Sequence, residues 1–95
     1  MRIEFKESFV KRFEVQLRFI ASDSPQNALK FKNNLLKQIR SLSDHPLKCR
    51  KSIYFDDESI RDLVYKGYTI VYRIAGDKIE VFGLTKYQED VVDWK

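Results

Sequence analysis

Lys48, Arg50 and Lys51 place three cations within four residues of a stretch that has neither glycine nor a clear helical or strand period. Charges set that close raise the local positive potential and suit a phosphate-bearing or acidic partner, so these three are the first candidates for nucleic-acid or target binding. Cys49 stands among them, where neighbouring cations would lower a thiol pKa, but no base is placed in the sequence to use the thiolate, so an incidental thiol is expected. His45 precedes Pro46, a helix-ending position that favours a capping role over work as a general base. Further along, Arg73 and Glu80 fall where two adjacent strands would set them side by side, and a structural ion pair is expected there, with phosphate contact as the alternative. Arg61 would lie on the opposite sheet face near a strand start, able to reach a loop carbonyl or a carboxylate such as Asp57. The chain has no glycine-rich phosphate loop, carboxylate dyad or serine-nucleophile motif. A lone Cys49 with a lone His45 cannot assemble a zinc site, so no metal, no cofactor and no small-molecule substrate are expected.

The elements that must hold these residues follow from periodicity. Residues 1–5 alternate Ile3 and Phe5 with Arg2 and Glu4, a short strand whose neighbour its pattern does not name. Phe9, Phe13, Leu17 and Ile20 recur at helical spacing, which predicts a helix over 8–21 with Ser8 as its N-cap. Ser24-Pro25 reads as a second N-cap with proline at the first helical position, and Ala28, Phe31, Leu35, Ile39 and Leu42 carry the apolar stripe of a helix over 25–44. From Ile60 the period changes to two. Ile60 to Tyr65, Tyr68 to Ala75 and Lys78 to Leu84 are separated by Lys66-Gly67 and Gly76-Asp77, two-residue turn signals of which the second suits type II′.

The fold class is therefore α+β: an N-terminal strand, an antiparallel helix hairpin, then a three-stranded antiparallel meander over 60–84 with the helices on one sheet face. Two-residue turns would pair Leu63 with Ile70, Arg61 with Tyr72, Tyr72 with Val81 and Ile70 with Gly83, all on the helix side. The reverse face would then carry Ile60, Asp62, Val64, Thr69, Val71, Arg73, Glu80, Phe82 and Leu84, too apolar for a plain solvent face. Val71, Phe82 and Leu84 are accordingly expected to form a partner surface, covered either by another chain or in part by the tail over 85–95.

Ninety-five residues with 43% hydrophobic and 34% charged side chains allow one small domain and argue against disorder. No apolar run approaches the roughly 18 residues of a membrane span, and residues 1–5 lack the apolar core of a secretory leader, so a cytoplasmic location and no membrane association are expected. Charge is two-sided. Residues 1–55 hold twelve Lys and Arg against five Asp and Glu, net +7, whereas residues 56–95 are net −3. A solvated Lys-rich helix surface is the plain account of the basic half, and a phosphate-facing or acid-facing surface is the other.

Arg50-Lys51, the run Ile60-Arg61-Asp62-Leu63-Val64-Tyr65-Lys66-Gly67-Tyr68-Thr69-Ile70-Val71-Tyr72-Arg73-Ile74, and Asp77-Lys78-Ile79-Glu80-Val81 together resemble the RelE/ParE superfamily of bacterial type II toxins, as does the Ser24-Pro25-Gln26-Asn27-Ala28 helix start. That resemblance implies a growth-inhibiting toxin neutralised by a cognate antitoxin. It implies one of two targets: DNA gyrase, as in the ParE branch, or ribosome-bound mRNA cut by an endoribonuclease, as in the RelE branch. A protein-binding module that keeps the fold without toxicity is a third reading. RelE-type nucleases carry basic residues where this chain has Ile60, Asp62 and Thr69, which tilts the expectation toward gyrase binding without cleavage. Were the chain a nuclease, Arg73, Lys86 and Tyr87 would have to supply transition-state charge and proton transfer, with Lys48, Arg50 and Lys51 docking on ribosomal RNA.

Overall fold

The computed structural model describes residues 1–86. Strand β1 (Arg2–Phe5) leads into helix α1 (Glu7–Asp23) and helix α2 (Pro25–Arg40), which ends in a 3₁₀ turn over Ser41–Ser43. A two-residue strand β2 (Arg50–Lys51) precedes the meander β3 (Ile60–Tyr65), β4 (Tyr68–Ala75) and β5 (Lys78–Lys86). The five strands form one mixed sheet in the order β1-β5-β4-β3-β2. The α+β class, the helix hairpin and the meander thus stand as expected, and β1 finds its place at the edge, parallel to β5 with Glu4 beside Glu80.

Local chemistry explains most boundaries. Ser24 caps α2 through its hydroxyl, which accepts from the Asn27 amide at 3.2 Å, and Pro25 opens the helix as the sequence predicts. Ser8 does not cap α1. That helix starts a residue earlier, after Lys6, and the Ser8 hydroxyl instead donates 2.6 Å to the Phe82 carbonyl. Helix α2 stops at Arg40, short of the expected 44, so His45 lies beyond the 3₁₀ turn, exposed, with its carbonyl accepting from the Lys48 amide. Lys66 and Gly67 both take positive φ (48° and 81°), the pattern of a type I′ hairpin turn, and Gly76 takes 61° as the first turn residue of a II′ turn requires.

One feature of the meander departs from the simple register. Tyr72 faces Val81 as expected, but Val71 faces Gly83 and Ile70 faces Leu84, so Phe82 is an extra residue, a β-bulge opposite the Val71–Tyr72 step. Every side chain after the bulge changes face. Leu84 is therefore a core residue, 1% exposed among Phe9, Phe13, Leu35, Ile39, Leu42, Ile70, Tyr72, Ile79 and Val81, and not part of an outer partner surface. Val71 keeps its outward face but is fully buried, so it too offers no partner surface; Phe82 alone of the expected three is part-exposed. The tail over 87–95, including Tyr87, lies outside the described residues.

Phe5, Phe9, Phe13 and Phe31 stack in a chain of ring contacts at 5.3–6.3 Å that runs from β1 along α1 to α2, and Phe31 continues it to Tyr65 and Tyr68. Tyr72, buried at the centre, donates its hydroxyl 2.7 Å to the Pro46 carbonyl, which ties the turn after α2 to the sheet. Among the described residues no helix is long and apolar enough to cross a membrane. Leu35 sits at zero exposure and Leu29, on the same helix, at 59%, so Leu35→Ala should cost about 2–5 kcal/mol of unfolding free energy in urea melts and Leu29→Ala less than about 0.5 kcal/mol. Equal losses at the two positions would contradict the assignment of the buried helix face.

Candidate functional site

The reverse sheet face is organised by charge. Arg73 and Glu80 oppose each other across β4 and β5, and the expected ion pair is present: Nη2 and Nε lie 3.0 and 3.1 Å from Glu80 Oε1. The other Glu80 oxygen faces Lys6 at 3.1 Å and Lys78 at 3.6 Å. Those two ammoniums also grip Glu4, at 2.6 and 3.1 Å. Two carboxylates and three cations thus form one ladder across β1, β5 and β4, made possible by the parallel pairing that sets Glu4 beside Glu80. Glu80 is 9% exposed, so its charge is stabilised by its partners more than by water. Lys6 and Arg73 hold its carboxyl below the usual range, Lys6 and Lys78 pull Glu4 down to about 2, and Glu4 and Glu80 raise Lys6. Groups ionised that firmly at neutral pH do not shuttle protons.

A loop covers part of this face. Phe55 packs edge-on against Phe82 with centroids 5.8 Å apart, leaving a cavity of about 180 Å³ lined by Lys6, Phe55, Ile60, Arg73, Glu80 and Phe82. The loop is fixed at both ends. The Ser52 amide donates to the Ile60 carbonyl at 2.8 Å, and Asp57 accepts from the amide and hydroxyl of Ser59 at 2.9 and 2.7 Å, contacts that lower its pKa. Asp62, with a side chain at zero exposure, accepts from the Ile53 amide at 3.1 Å and from Arg50 at 3.3 Å. Its Oδ1 is buried without a hydrogen-bond partner among the described residues.

The three clustered cations of the 48–51 stretch do not act as one patch. Arg50 is spent on Asp62, Lys51 meets Asp56 at 3.3 Å, and Lys48 donates to the Ser41 hydroxyl. The reason is β2: Arg50 and Lys51 sit on a strand, so their side chains leave on opposite faces. Arg61 does reach loop carbonyls, those of Glu58 and Cys49 at 3.1 Å each, and not the Asp57 carboxylate. Cys49 is half-buried against the core.

A second surface lies on the helix side. Helix α1 and the end of β5 enclose a groove of about 320 Å³ lined by Lys11, Arg12, Val15, Gln16, Leu84, Thr85 and Lys86. Lys86 turns toward α1 because of the bulge, and its ammonium lies 4.5 Å from the centre of the Phe19 ring. Phe19 and Val15, at 65% and 52% exposed, are large apolar side chains left in the open beside this basic rim. Sequence reasoning found Arg73, Glu80 and Lys86 but missed Lys6, Glu4, Lys78 and Phe55. The alternation Glu4-Phe5-Lys6 puts two opposite charges on one strand face, a usable sign once β1 has a neighbour.

A family model described as "ParE toxin of type II toxin-antitoxin system, parDE" matches residues 3–91 of the chain. No curated protein matches. Among solved structures, the chain is similar to one titled "Chromosomal ParDE TA system from P. aeruginosa", with 13% identity, a TM-score of 0.75 and coverage of 93% of this chain and 97% of that one, a likeness of fold.

The charge ladder generates a pH signature. The folded chain lowers the Glu4 and Glu80 pKa values, so it binds fewer protons than the unfolded chain below their ordinary 4.5. Their stabilisation is complete above about pH 4.5 and is lost as pH falls below it, for Glu4 toward about 2. Thermal melts of the wild type should therefore drop across pH 4.5 to 2, and Glu80→Gln should flatten that drop; an unchanged slope in the variant would show that the ladder does not titrate.

Proposed function

The chain belongs to the ParE toxin family of type II toxin–antitoxin systems, and from that premise we propose that it arrests growth by binding DNA gyrase, without cutting nucleic acid, and that a cognate antitoxin silences it. The observation that carries the non-cleaving part is the ladder. Cleavage of RNA by its own 2′-hydroxyl requires a base near neutral pKa, an acid and uncommitted positive charge for the phosphorane-like transition state. On the reverse sheet face Arg73, Lys6 and Lys78 are all held in ion pairs with Glu4 and Glu80, and both carboxylates are held ionised. Ile60, Asp62 and Thr69 are buried there and add no cation.

Antitoxin binding fits the groove between α1 and β5. Its exposed apolar side chains are Val15 and, at its edge, Phe19, and its rim is basic, from Lys11, Arg12 and Lys86. An acidic amphipathic segment matches both features, since apolar anchors supply affinity while charge sets orientation and encounter rate.

Purified chain added to gyrase and supercoiled plasmid should accumulate cleaved DNA–gyrase complex, and ribosome-bound mRNA exposed to the same chain should stay intact. Codon-positioned cuts in that mRNA would replace this reading with the endoribonuclease one. For the groove, Val15→Asp should weaken antitoxin binding at least about tenfold in calorimetric titration, equivalent to roughly 1.4 kcal/mol, while Leu29→Asp should change it less than about twofold. Unaltered affinity in Val15→Asp would move the antitoxin elsewhere.

A further inference from the structure

The cations of the reverse-face ladder and of β2 are matched by carboxylates; those of α2 are not. Lys6, Arg50, Lys51, Arg73 and Lys78 each meet an Asp or Glu, as does Lys11 on α1. Helix α2 contains Lys30, Lys32, Lys37 and Arg40 with no Asp or Glu at all, and among the described residues none of the four has an ion pair. Helical spacing sorts them. Gln26, Lys30, Asn33, Lys37 and Arg40 recur at intervals of four, three, four and three, a single exposed stripe about 21 Å long, on the side of α2 opposite buried Ala28, Leu35 and Ile39. Lys48 continues the line past the helix end, its ammonium bound to the hydroxyl of Ser41 directly after Arg40.

Fold stability does not account for this arrangement. Lys37 and Arg40 sit in the last turn and gain from the helix dipole, but Lys30 and Lys32 lie too early to do so, and Lys37 and Arg40 at i,i+3 repel each other. Three classes of partner are poorly served. A protein partner calls for large apolar or aromatic anchors, and the stripe has none. Single-stranded nucleic acid calls for stacking rings, also missing from it. A membrane surface calls for an apolar face free to insert, whereas the apolar face of α2 is buried on the sheet.

We infer that the outer stripe of α2, with Lys48, is a docking surface for the phosphate backbone of duplex DNA. Regularly spaced cations interleaved with Asn33 and Gln26 amides are the donors that position proteins on a backbone without reading bases. B-form DNA has a major groove wide enough to admit a helix, and the A-form groove of duplex RNA is closed to it. The inference requires neither gyrase nor antitoxin, so its outcome is read apart from the proposed target.

Fluorescence anisotropy of the purified chain with a labelled 20-base-pair DNA duplex, between 50 and 200 mM KCl, tests it. With three to four phosphate contacts, the slope of log affinity against log salt should be about −3. The variant Lys30→Gln/Lys37→Gln/Arg40→Gln should bind at least about tenfold more weakly at 50 mM and lose roughly 2 to 3 of that slope, whereas Lys51→Gln, whose ammonium already meets Asp56, should stay within about twofold of wild type. The charge-keeping variant Lys30→Arg/Lys37→Arg should retain binding, and matching melting temperatures would exclude unfolding as the cause of any loss. Undiminished binding by the triple Gln variant would overturn the inference, as would tighter binding to duplex RNA, to single-stranded DNA or to poly-glutamate than to the DNA duplex.

Discussion

The bulge at Phe82 is the constraint on which the packing beneath α1 and the α1–β5 groove depend. An uninterrupted ladder would send Leu84 outward and leave the core beneath α1 short of a side chain; one additional residue in β5 restores it. At the bulge the Phe82 carbonyl accepts from the Ser8 hydroxyl in the first turn of α1. With the Lys6 amide donating to Val81, this ties the start of α1 to the middle of β5. Lys86 turns toward Phe19 for the same reason, so the basic rim of the α1–β5 groove depends on a single-residue shift in the sheet.

Charge is distributed by a different logic on each layer. On the reverse sheet face, cations and carboxylates settle into ion pairs, with the buried Glu80 shared among Arg73, Lys6 and Lys78. Within the helix layer the basic excess lies on α2, which has no carboxylate to balance it. A face whose cations are held in ion pairs is poorly suited to phosphate chemistry, whereas uncompensated charge on a rigid helix acts at a distance.

Much of this was legible in the sequence. Lys66-Gly67 and Gly76-Asp77 defined both hairpins because so few residues tolerate the positive φ those turns demand, and from them came the pairing of Tyr72 with Val81 and of Arg73 with Glu80. Ser24-Pro25 marked the start of α2 equally well. The bulge escaped the reading although Gly83, an isolated glycine inside a strand pattern, was its available sign. With it went the face of Leu84. The ladder was only half visible, since Glu4, Lys6 and Lys78 meet through a parallel pairing between strands more than seventy residues apart, which no local pattern encodes. The partners of Lys48, Arg50 and Lys51 were not legible for a related reason: a two-residue strand sends neighbours along the chain to opposite faces, where Arg50 meets Asp62 and Lys51 meets Asp56.

The placement of β5 has a bearing on how the protein is made. It is the last of the described strands to be synthesised, yet it lies inside the sheet between β4 and β1. During vectorial synthesis β1 has no hydrogen-bonding neighbour, and Phe9 and Phe13 lack the Ile79 and Val81 floor, until β5 leaves the exit tunnel. A nascent chain stopped ahead of the second hairpin possesses neither the Glu80 junction nor the Lys86 rim. The architecture thereby makes completion of the helix–sheet core and of the α1–β5 groove wait on the synthesis of β5.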